Sequence, residues 1–515
     1  MSRRRALLSN KGVTPSEHGS GTQDDPFLIF TVDDLLMMRN VLAPESTRLH
    51  SDYYGVSVNY AATGQYFKLM ADLDLSSICG PNIGNFFGTG DGQLATTLAG
   101  DFDGNNHTIS NMYDYYSTVG QSDWAKRCGL FYQIIAGGRC HHLTLSNVTA
   151  YGRYGGCISS VCRGTVDHCK VLSGSVSGWQ GFGGICGWVG DGALFEYCEN
   201  NASIIRSSWG HYYPCAGGIV GCIGGTGTTI VRYCINYANI SVTNSSSYHI
   251  GGIVGSAISA TNATEQINNN INLGDFHSSA TLNGGVVGHS VKGYVQTNMM
   301  CGNMTSSGGQ CGAVFGYKDN SGTLYVYGNL SVGIIASTSS TNIVPINYSG
   351  TNNASYPNYF VTEFNKNPAT KTGVVASTSS DLICTADNTR PPAITNTTYW
   401  TTTNFVFKNG YYPYPKGIEN TDACLCAATP VILASGNTYS TVSNTVQLGT
   451  VESYLDGVTW TTSSSSIMRV DVAHDNSSEM DYYAGVPVST GQVTLTNWRN
   501  GKAYKKVNLT ITGTV

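Results

Sequence analysis

One glycine phrase recurs along the middle of the chain and restricts the possible folds more than any other feature. Its copies are GGICG from Gly183, GGIVG from Gly217 and Gly251, GGVVG from Gly284, GAVFG from Gly312, and an earlier relative, GGCIS, from Gly155. The first glycines lie 28 to 34 residues apart. A unit of this length cannot bury an apolar face by itself, so the repeats predict a stacked array in which each unit packs on its neighbours.

Each unit has the same internal order. The glycine phrase is expected to be a strand, and a polar turn leads to a second strand that ends in Cys-X-Asn, as in YCEN at 197–200 and YCIN at 233–236. Apolar residues alternate with period two and show no helical stripe. The repeats therefore predict an all-β solenoid.

The 16 cysteines follow the repeats. Four of them fall in or beside the glycine phrase, and Cys169, Cys198 and Cys234 fall at one position of the second strand. We expect each set to stack as buried, free thiols, with Ile271 and Met299 at the comparable place in later units. The N-terminal sequence MSRRRALL has too short an apolar run for a signal peptide, so an oxidising compartment is unsupported.

The chain divides into three predicted parts. Residues 1–24 form an N-terminal arm, residues 25–420 the solenoid, and residues 430–515 a small β-sandwich of short alternating strands around Trp460. Residues 31–42 (TVDDLLMMRNVL) predict a helix that Thr31 or Asp33 caps and that covers the open end of the stack.

Composition excludes two classes of partner. The net charge is −5, and the only basic cluster is residues 3–5, so a nucleic-acid-binding face is not expected. No run approaches 18 apolar residues, which argues against membrane insertion. Charged residues are 11% of a chain rich in Gly, Tyr and small polar residues, a composition typical of an extracellular β protein.

Several ordered segments resemble the GLUG-motif proteins of bacteria and phages. They are DPFLI at 25–29, KLMADLDL at 68–75, GDFDGNNHTISNM at 100–112, the glycine repeats, and GYYPYP at 410–415. The resemblance covers about residues 20 to 417 and implies a right-handed parallel β-helix. Residues 430–515 resemble a group 2 bacterial immunoglobulin-like domain, through VTWTTS at 458–463 and the strands near 491–495 and 505–512. Both families imply surface attachment or structural roles, without a fixed catalytic set or a cofactor.

Two acidic pairs are the candidates for chemistry. Asp101 with Asp103, and Asp72 with Asp74, each place two carboxylates on one side of a strand, an arrangement that glycosidic acid–base catalysis can use. The resemblance assigns both segments to turn and strand structure in nonenzymatic proteins. We therefore expect structural roles, and glycan hydrolysis and calcium binding are the alternatives.

The histidine-rich segment Cys140-His141-His142, followed by His168-Cys169, imitates a metal cluster. Neighbouring residues of a strand point to opposite faces, so we expect the imidazoles of residues 141 and 142 to point apart and not to share one ion. The spacing also matches no zinc motif, so no metal is expected.

Nine aromatic residues are predicted to stand on turns or loops that project from the stack. Rigid rings with polar tips suit contacts with sugars or proteins, although the same rings can also pack loops onto the flank of the solenoid. They are Tyr113, Tyr115, Tyr116, Tyr151, Tyr154, Trp179, Trp209, Tyr212 and Tyr213.

These patterns favour a virion structural protein of a bacteriophage: a fibre, a spike or a decoration of the capsid or tail. The expected partners are other virion proteins, contacted through residues 1–24, and glycans of the host surface or of mucus. A homo-oligomer is compatible with the sequence, which fixes no symmetry. A bacterial cell-surface adhesin and a glycan-depolymerising tailspike are the alternatives.

Overall fold

The computed structural model describes residues 19–42, 65–87, 96–116 and 126–206 and, with gaps, residues 214–418 and 431–511. Within these ranges the regular secondary structure is almost wholly β-strand, together with an α-helix at Val32–Leu42 and a 3₁₀ turn at Ser380–Leu382. No helix in the described ranges has the length and apolar character needed to span a bilayer.

Four parallel sheets form the solenoid, and each collects strands from successive coils. In spatial order, sheet 1 contains Phe27–Ile29, Tyr66–Leu69, Asp101–Asp103, Arg139–His141, Thr165–Asp167, Leu194–Glu196, Thr229–Arg232, Glu265–Asn268, Gly293–Gln296, Leu324–Tyr327 and Thr351–Asn352. Sheet 2 contains Leu73–Asp74, Thr108–Ser110, Thr144–Ser146, Lys170–Val171, Glu199–Asn200, Ile235–Asn236, Ile271–Asn272, Met299–Met300, Leu330–Ser331, Asn358–Val361 and Val374–Ser377.

Sheets 3 and 4 complete each coil. Sheet 3 contains, in chain order, Tyr113–Tyr115, Arg127–Cys128, Val148–Gly156, Gly174–Gly183, Ser203–Arg206, Cys215–Gly217, Ile240–Val242, His249–Gly251, Phe276–Ser278, Leu282–Gly284, Met304–Ser306, Gln310–Gly312, Ile335–Ser337 and Ile343–Val344. Sheet 4 contains Thr97–Leu98, Phe131–Ile134, Ser159–Cys162, Cys186–Val189, Val220–Ile223, Val254–Ala257, Val287–Ser290 and Phe315–Lys318.

The register of these strands confirms that equivalent residues stack. Gly217 pairs with Gly251, Gly251 with Gly284, and Gly284 with Gly312, always in parallel. Eleven coils at about 4.8 Å each make a column roughly 50 Å long. The predicted fold class, a parallel β-helix with an N-terminal helix, is confirmed.

The N-terminal helix forms where the sequence predicts it. The Asp34 amide donates to Thr31 Oγ1 at 3.2 Å, and the Thr31 amide donates to Asp34 Oδ2 at 2.9 Å, so the two side chains satisfy two backbone amides at the helix start. Leu35, Met38 and Leu42 are buried in the core that the strands of the solenoid share. The helix therefore belongs to the same packed body as the first coils.

The glycine phrase spans a corner between two strands, so the prediction that it forms one strand is wrong in part: only its first residue and its last two lie in strands. One strand ends at Gly217 and the next begins at Val220. A Cβ on Gly218 would lie 2.1 Å from the Gly252 carbonyl oxygen and 2.3 Å from Asn236 Cγ. Only glycine fits this corner, because the backbone of the next coil and an interior asparagine both approach it closely.

The stack of Cys169, Cys198 and Cys234 continues along the solenoid as a column of asparagines. Ile235 pairs with Ile271 and Ile271 with Met299, so the residue that stacks on Cys234 is Asn270, and the predicted continuation through Ile271 and Met299 is wrong by one position. Asn270 Nδ2 donates to Asn298 Oδ1 at 3.0 Å. Equivalent side-chain bonds join Asn298 to Asn329 and Asn329 to Asn358. Fourteen cysteines of the described residues are free and buried, as predicted, whereas Cys424 and Cys426 lie outside those residues.

Residues 380–418 cover the outer face of sheet 2. Trp400 and Phe405 stack at 4.0 Å within a second apolar core, which also includes Ile271, Met299 and Tyr359 of sheet 2. The strands Phe405–Val406 and Tyr414–Pro415 pair in antiparallel fashion. This segment therefore packs along the side of the column, against sheet 2.

Two further sheets lie in the C-terminal part. One contains Val431–Ile432, Asn437–Tyr439, Val458–Thr462, Gly491–Arg499 and Lys502–Ile511, and the other contains Val446–Val451, Met468–Asp475 and Met480–Pro487. Strands are present near 491–495 and 505–512, as predicted, and Trp460 is only half-buried. The immunoglobulin-like assignment and the boundaries at 25, 420 and 430 stay predictions.

Candidate functional site

A polar cleft of about 270 Å³ lies on the outer face of the first coils of sheet 1. Strand Asp101–Asp103 directs Phe102 into the core and both carboxylates outward, which confirms that the two aspartates share a face. The strand of the next coil, Arg139–His141, pairs with this strand in parallel, so that Asp101 lies beside Arg139 and Asp103 lies beside His141. The lining residues are Gln23, Pro26, Tyr66, Phe67, Lys68, Asp101, Asp103, Arg139 and His141.

His141 lies between the two carboxylates. Its Nε2 is 2.9 Å from Asp101 Oδ2, and its Nδ1 is 3.7 Å from Asp103 Oδ1. Lys68 Nζ contacts the other oxygen of Asp103 at 3.1 Å, and Arg139 donates two bonds, of 2.7 and 2.8 Å, to Asp167. The cleft therefore presents positively and negatively charged side chains that lie within hydrogen-bonding distance of one another.

The charge state of Asp103 is unsuited to a catalytic acid. Burial acts to raise the pKa of this carboxyl, but the Asn105 amide and Lys68 stabilise the carboxylate more strongly, and the pKa is lowered from its ordinary value. A general acid in a glycosidase needs a raised pKa so that it keeps its proton at neutral pH. The cleft is thus better suited to binding than to acid catalysis.

The second acidic pair stabilises a turn. Asp72 Oδ1 accepts the Thr108 amide at 2.8 Å and lies 3.1 Å from His107 Nδ1. The bond from the Thr108 amide and, to a smaller extent, the contact with His107 lower the pKa of Asp72. Asp74 Oδ1 accepts bonds from Asn111 Nδ2 at 2.7 Å and from the Ser76 amide at 2.9 Å. Neither aspartate lines the cleft.

The two adjacent histidines share a side, so the prediction that they face opposite ways is wrong. Strand Arg139–His141 ends at His141, and His142 adopts a left-handed conformation with φ of 51°. This conformation interrupts the alternation of the strand. The two Nδ1 atoms lie 2.7 Å apart.

An aromatic column that the sequence analysis missed follows the corner between sheets 1 and 2. His142, His168, Tyr197 and Tyr233 all have φ between 51° and 57°. Their rings stack with successive centroid distances of 4.7, 4.7 and 4.9 Å. The available signal was an aromatic residue directly before the stacked cysteine in three consecutive units.

Three of the predicted aromatic residues form a stack on sheet 3 in which Tyr115 is exposed and Tyr113 and Tyr151 are half-buried. Tyr115 lies 6.1 Å from Tyr113 and 4.8 Å from Tyr151, measured between ring centroids, and it is 44% exposed. All three lie in the strands Tyr113–Tyr115 and Val148–Gly156. The prediction that they stand on loops is therefore wrong, and their surface is more rigid than a loop would be.

The other predicted aromatic residues do not join this stack. Tyr116 and Tyr154 are buried, and Tyr154 packs edge-on against Trp188 at 5.6 Å. Trp179 is half-buried in strand Gly174–Gly183. The prediction that Tyr116 and Tyr154 project from the stack is therefore wrong. Trp209, Tyr212 and Tyr213 lie outside the described residues.

A buried polar cluster occupies a later coil. Ser256 Oγ lies 2.9 Å from His249 Nδ1 and 3.1 Å from His289 Nδ1, and the three side chains are almost fully buried. Burial, followed by the nearby His289, lowers the pKa of His249 to about 3. The His249 ring is therefore neutral at physiological pH, and its burial keeps it from contact with a macromolecular ligand.

No family model matches the chain. Over 178 residues, 34% of the chain, it is 29% identical to halomucin of Haloquadratum walsbyi, and the match spans 2% of that protein. An immunoglobulin A1 protease candidate from Bacteroides ovatus aligns with 71% of this chain and 87% of its own, at 19% identity and a TM-score of 0.38. A second solved structure, of an IgA1 protease, aligns with 65% of this chain and 21% of its own, at 14% identity and a TM-score of 0.36. At these values neither structural likeness bears on activity.

Proposed function

We propose that this chain is a structural appendage of a bacteriophage particle, a fibre, spike or capsid or tail decoration, which attaches to glycans of a host surface or of mucus. The observation that carries the proposal is the partly exposed stack of Tyr113, Tyr115 and Tyr151. The strand Val148–Gly156, which carries Tyr151, is paired on both sides, and the strand Tyr113–Tyr115 is paired with it, so little side-chain freedom is lost when a ligand binds. Tyrosine combines apolar area with a polar hydroxyl, which suits a sugar surface.

The architecture supports an appendage. Coils in continuous parallel register form a stiff column, because each strand is hydrogen-bonded to both neighbours. The resemblance of the repeats to GLUG-motif proteins, and of residues 430–515 to an immunoglobulin-like domain, supports the same role. The lowered pKa of Asp103 favours binding over hydrolysis as the function of the adjoining cleft.

Binding of the full chain to a panel of capsular polysaccharides and mucin glycans tests the attachment role. The double variant Tyr115→Ala/Tyr151→Ala removes the partly exposed stack. Tyr294→Ala/Tyr325→Ala is the matched control, because that pair also stacks, at 5.5 Å, and each ring is 36% exposed. We expect the first variant to weaken binding about tenfold or more and the control to leave it unchanged. Equal loss in both variants would contradict the assignment of the site.

Purified particles test the location. The chain should sediment with virions and co-purify with capsid or tail proteins, and deletion of residues 1–24 should release it. Display on intact bacterial cells, without particles, would instead identify an adhesin. Release of reducing ends from a capsular polysaccharide, abolished by Asp103→Asn, would identify a depolymerase and refute the nonenzymatic role.

A further inference from the structure

We propose that Asp103, His141 and His142 form a binding site for one divalent transition-metal ion of the Zn²⁺ type. Asp103 Oδ1 and the imidazole nitrogens of the two histidines lie within 4.8 Å of one another. Two nitrogen ligands and one carboxylate oxygen favour Zn²⁺ and similar ions over Ca²⁺ or Mg²⁺, which prefer oxygen. The site goes beyond the attachment role and does not depend on it.

The separations require only small side-chain movements. Two ligand atoms on a tetrahedral Zn²⁺, each 2.0–2.1 Å from the metal, lie about 3.3 Å apart. The two Nδ1 atoms are 2.7 Å apart, and His141 Nδ1 is 3.7 Å from Asp103 Oδ1. The first distance must open and the second must close by about 0.5 Å each. The ligand atoms of His142 and Asp103, which lie within 4.8 Å of each other, must approach by at most about 1.5 Å. Rotation of the partly exposed side chains provides these movements.

Asp101 sets the tautomer of His141 that a metal needs. A carboxylate accepts hydrogen bonds, so the contact of 2.9 Å between Asp101 Oδ2 and His141 Nε2 places the proton on Nε2. The neutral ring then has its lone pair on Nδ1, which points toward His142 and Asp103. Metal-binding histidines are characteristically oriented by such a carboxylate behind the ring.

The backbone and the aromatic column hold His142 in place. Its left-handed conformation brings the imidazole to the side of the strand where His141 lies. His168 stacks on the ring at 4.7 Å with an interplanar angle of 5°. The left-handed conformation recurs at this corner in successive coils, and at His142 it makes two imidazoles converge.

Access and charge define the properties of the site. The side chains of His141 and Asp103 are 13% and 23% exposed, and both line the cleft, which leaves room for water or a ligand at a fourth position. Lys68 binds the second oxygen of Asp103 at 3.1 Å, and its positive charge opposes that of a metal ion. The removal of this charge should therefore strengthen metal binding.

Calorimetric titration of the chelator-treated full chain with ZnCl₂ is the test, with Co²⁺ as a spectroscopic probe. We expect one equivalent of Zn²⁺ per chain, and weakening of about 10–100-fold in Asp101→Asn. His142→Ala should abolish the site. The control His107→Ala, at a separate histidine beside Asp72, should bind as the wild type does. Lys68→Gln should bind Zn²⁺ more tightly, a gain that misfolding cannot produce.

The visible spectrum of the Co²⁺ form identifies the ligands. Nitrogen and oxygen ligands give only d–d bands, whereas coordination by the buried cysteines would add near-ultraviolet thiolate charge-transfer bands. Thiolate bands, failure of the wild type to bind one equivalent, or unchanged affinity in both His142→Ala and Lys68→Gln would overturn the proposal. In that case the contact between the two Nδ1 atoms is an ordinary hydrogen bond.

Discussion

The buried histidine His249 should make the free energy of unfolding depend on pH in a defined window. In the folded chain the pKa of His249 is lowered from 6.5 to about 3, chiefly by burial. A histidine in the unfolded chain takes up a proton near pH 6.5, so the unfolded state binds more protons between pH 6.5 and about 3. The contribution of the neutral ring to stability is therefore complete above pH 6.5 and is lost progressively as the pH falls through this window.

The magnitude follows from the two pKa values. The loss from this one ring is about 2 kcal/mol at pH 5 and about 3 kcal/mol at pH 4. The value at pH 5 changes little for any folded pKa below 4, because the ring is then almost fully neutral in the folded state. Since other groups titrate in the same range, the effect must be measured as a difference between variants.

His249→Leu is the appropriate perturbation. His249 pairs in register with Cys215 on one side and Leu282 on the other, so the column already accommodates apolar residues at this position. Urea unfolding, followed by circular dichroism at pH 7.5, 6 and 5, should show that the variant loses about 2 kcal/mol less than the wild type between pH 7.5 and 5. Ile250→Val, a neighbouring core change without a titratable group, should shift the whole curve downward without changing its pH dependence. Parallel curves for wild type and His249→Leu would refute the reasoning.

Three further outcomes are expected. Asn298→Leu should lower the free energy of unfolding by about 2–5 kcal/mol in urea titrations, because Asn270 and Asn329 each lose a buried hydrogen-bond partner; a loss below 1 kcal/mol would contradict the role of the column. Gly252→Ala should prevent or severely weaken folding, because its Cβ would lie 2.0 Å from a carbonyl oxygen, whereas Gly192→Ala, which meets no atom within 4 Å, should cost only about 1–2 kcal/mol of backbone strain in thermal unfolding. Burial raises the pKa of the Cys162 thiol to about 12, so mass-mapped alkylation at pH 8 should modify it in urea but leave it untouched in the folded chain.

Local patterns in the sequence were sufficient to predict the stacked β architecture, the N-terminal helix and the free buried thiols. These patterns are period-two alternation, an apolar face that follows a capping residue at Thr31 or Asp33, and a residue type that recurs at one position of the unit. The strand Asp101–Asp103 likewise placed two carboxylates on one face through simple alternation. These features needed no knowledge of which coil contacts which.

The predictions that were wrong concern side chains whose position depends on the backbone conformation at a corner or on the register with the neighbouring coil. The left-handed conformation of His142 reversed the direction predicted for its ring, and it also created the aromatic column. The register moved the continuation of the cysteine column from Ile271 to Asn270. The predicted loop aromatics Tyr115 and Tyr154 both lie in strands, one exposed and one buried.

The sequence by itself determined that the units stack, because repeated apolar positions have no other way to leave water. Only the tertiary structure decided why glycine and asparagine recur together. Asn236 of one sheet reaches across the interior to the corner at Gly218, where a side chain of any size would collide with it. The two residues are 18 positions apart in the sequence, and their contact exists only after the coil has closed.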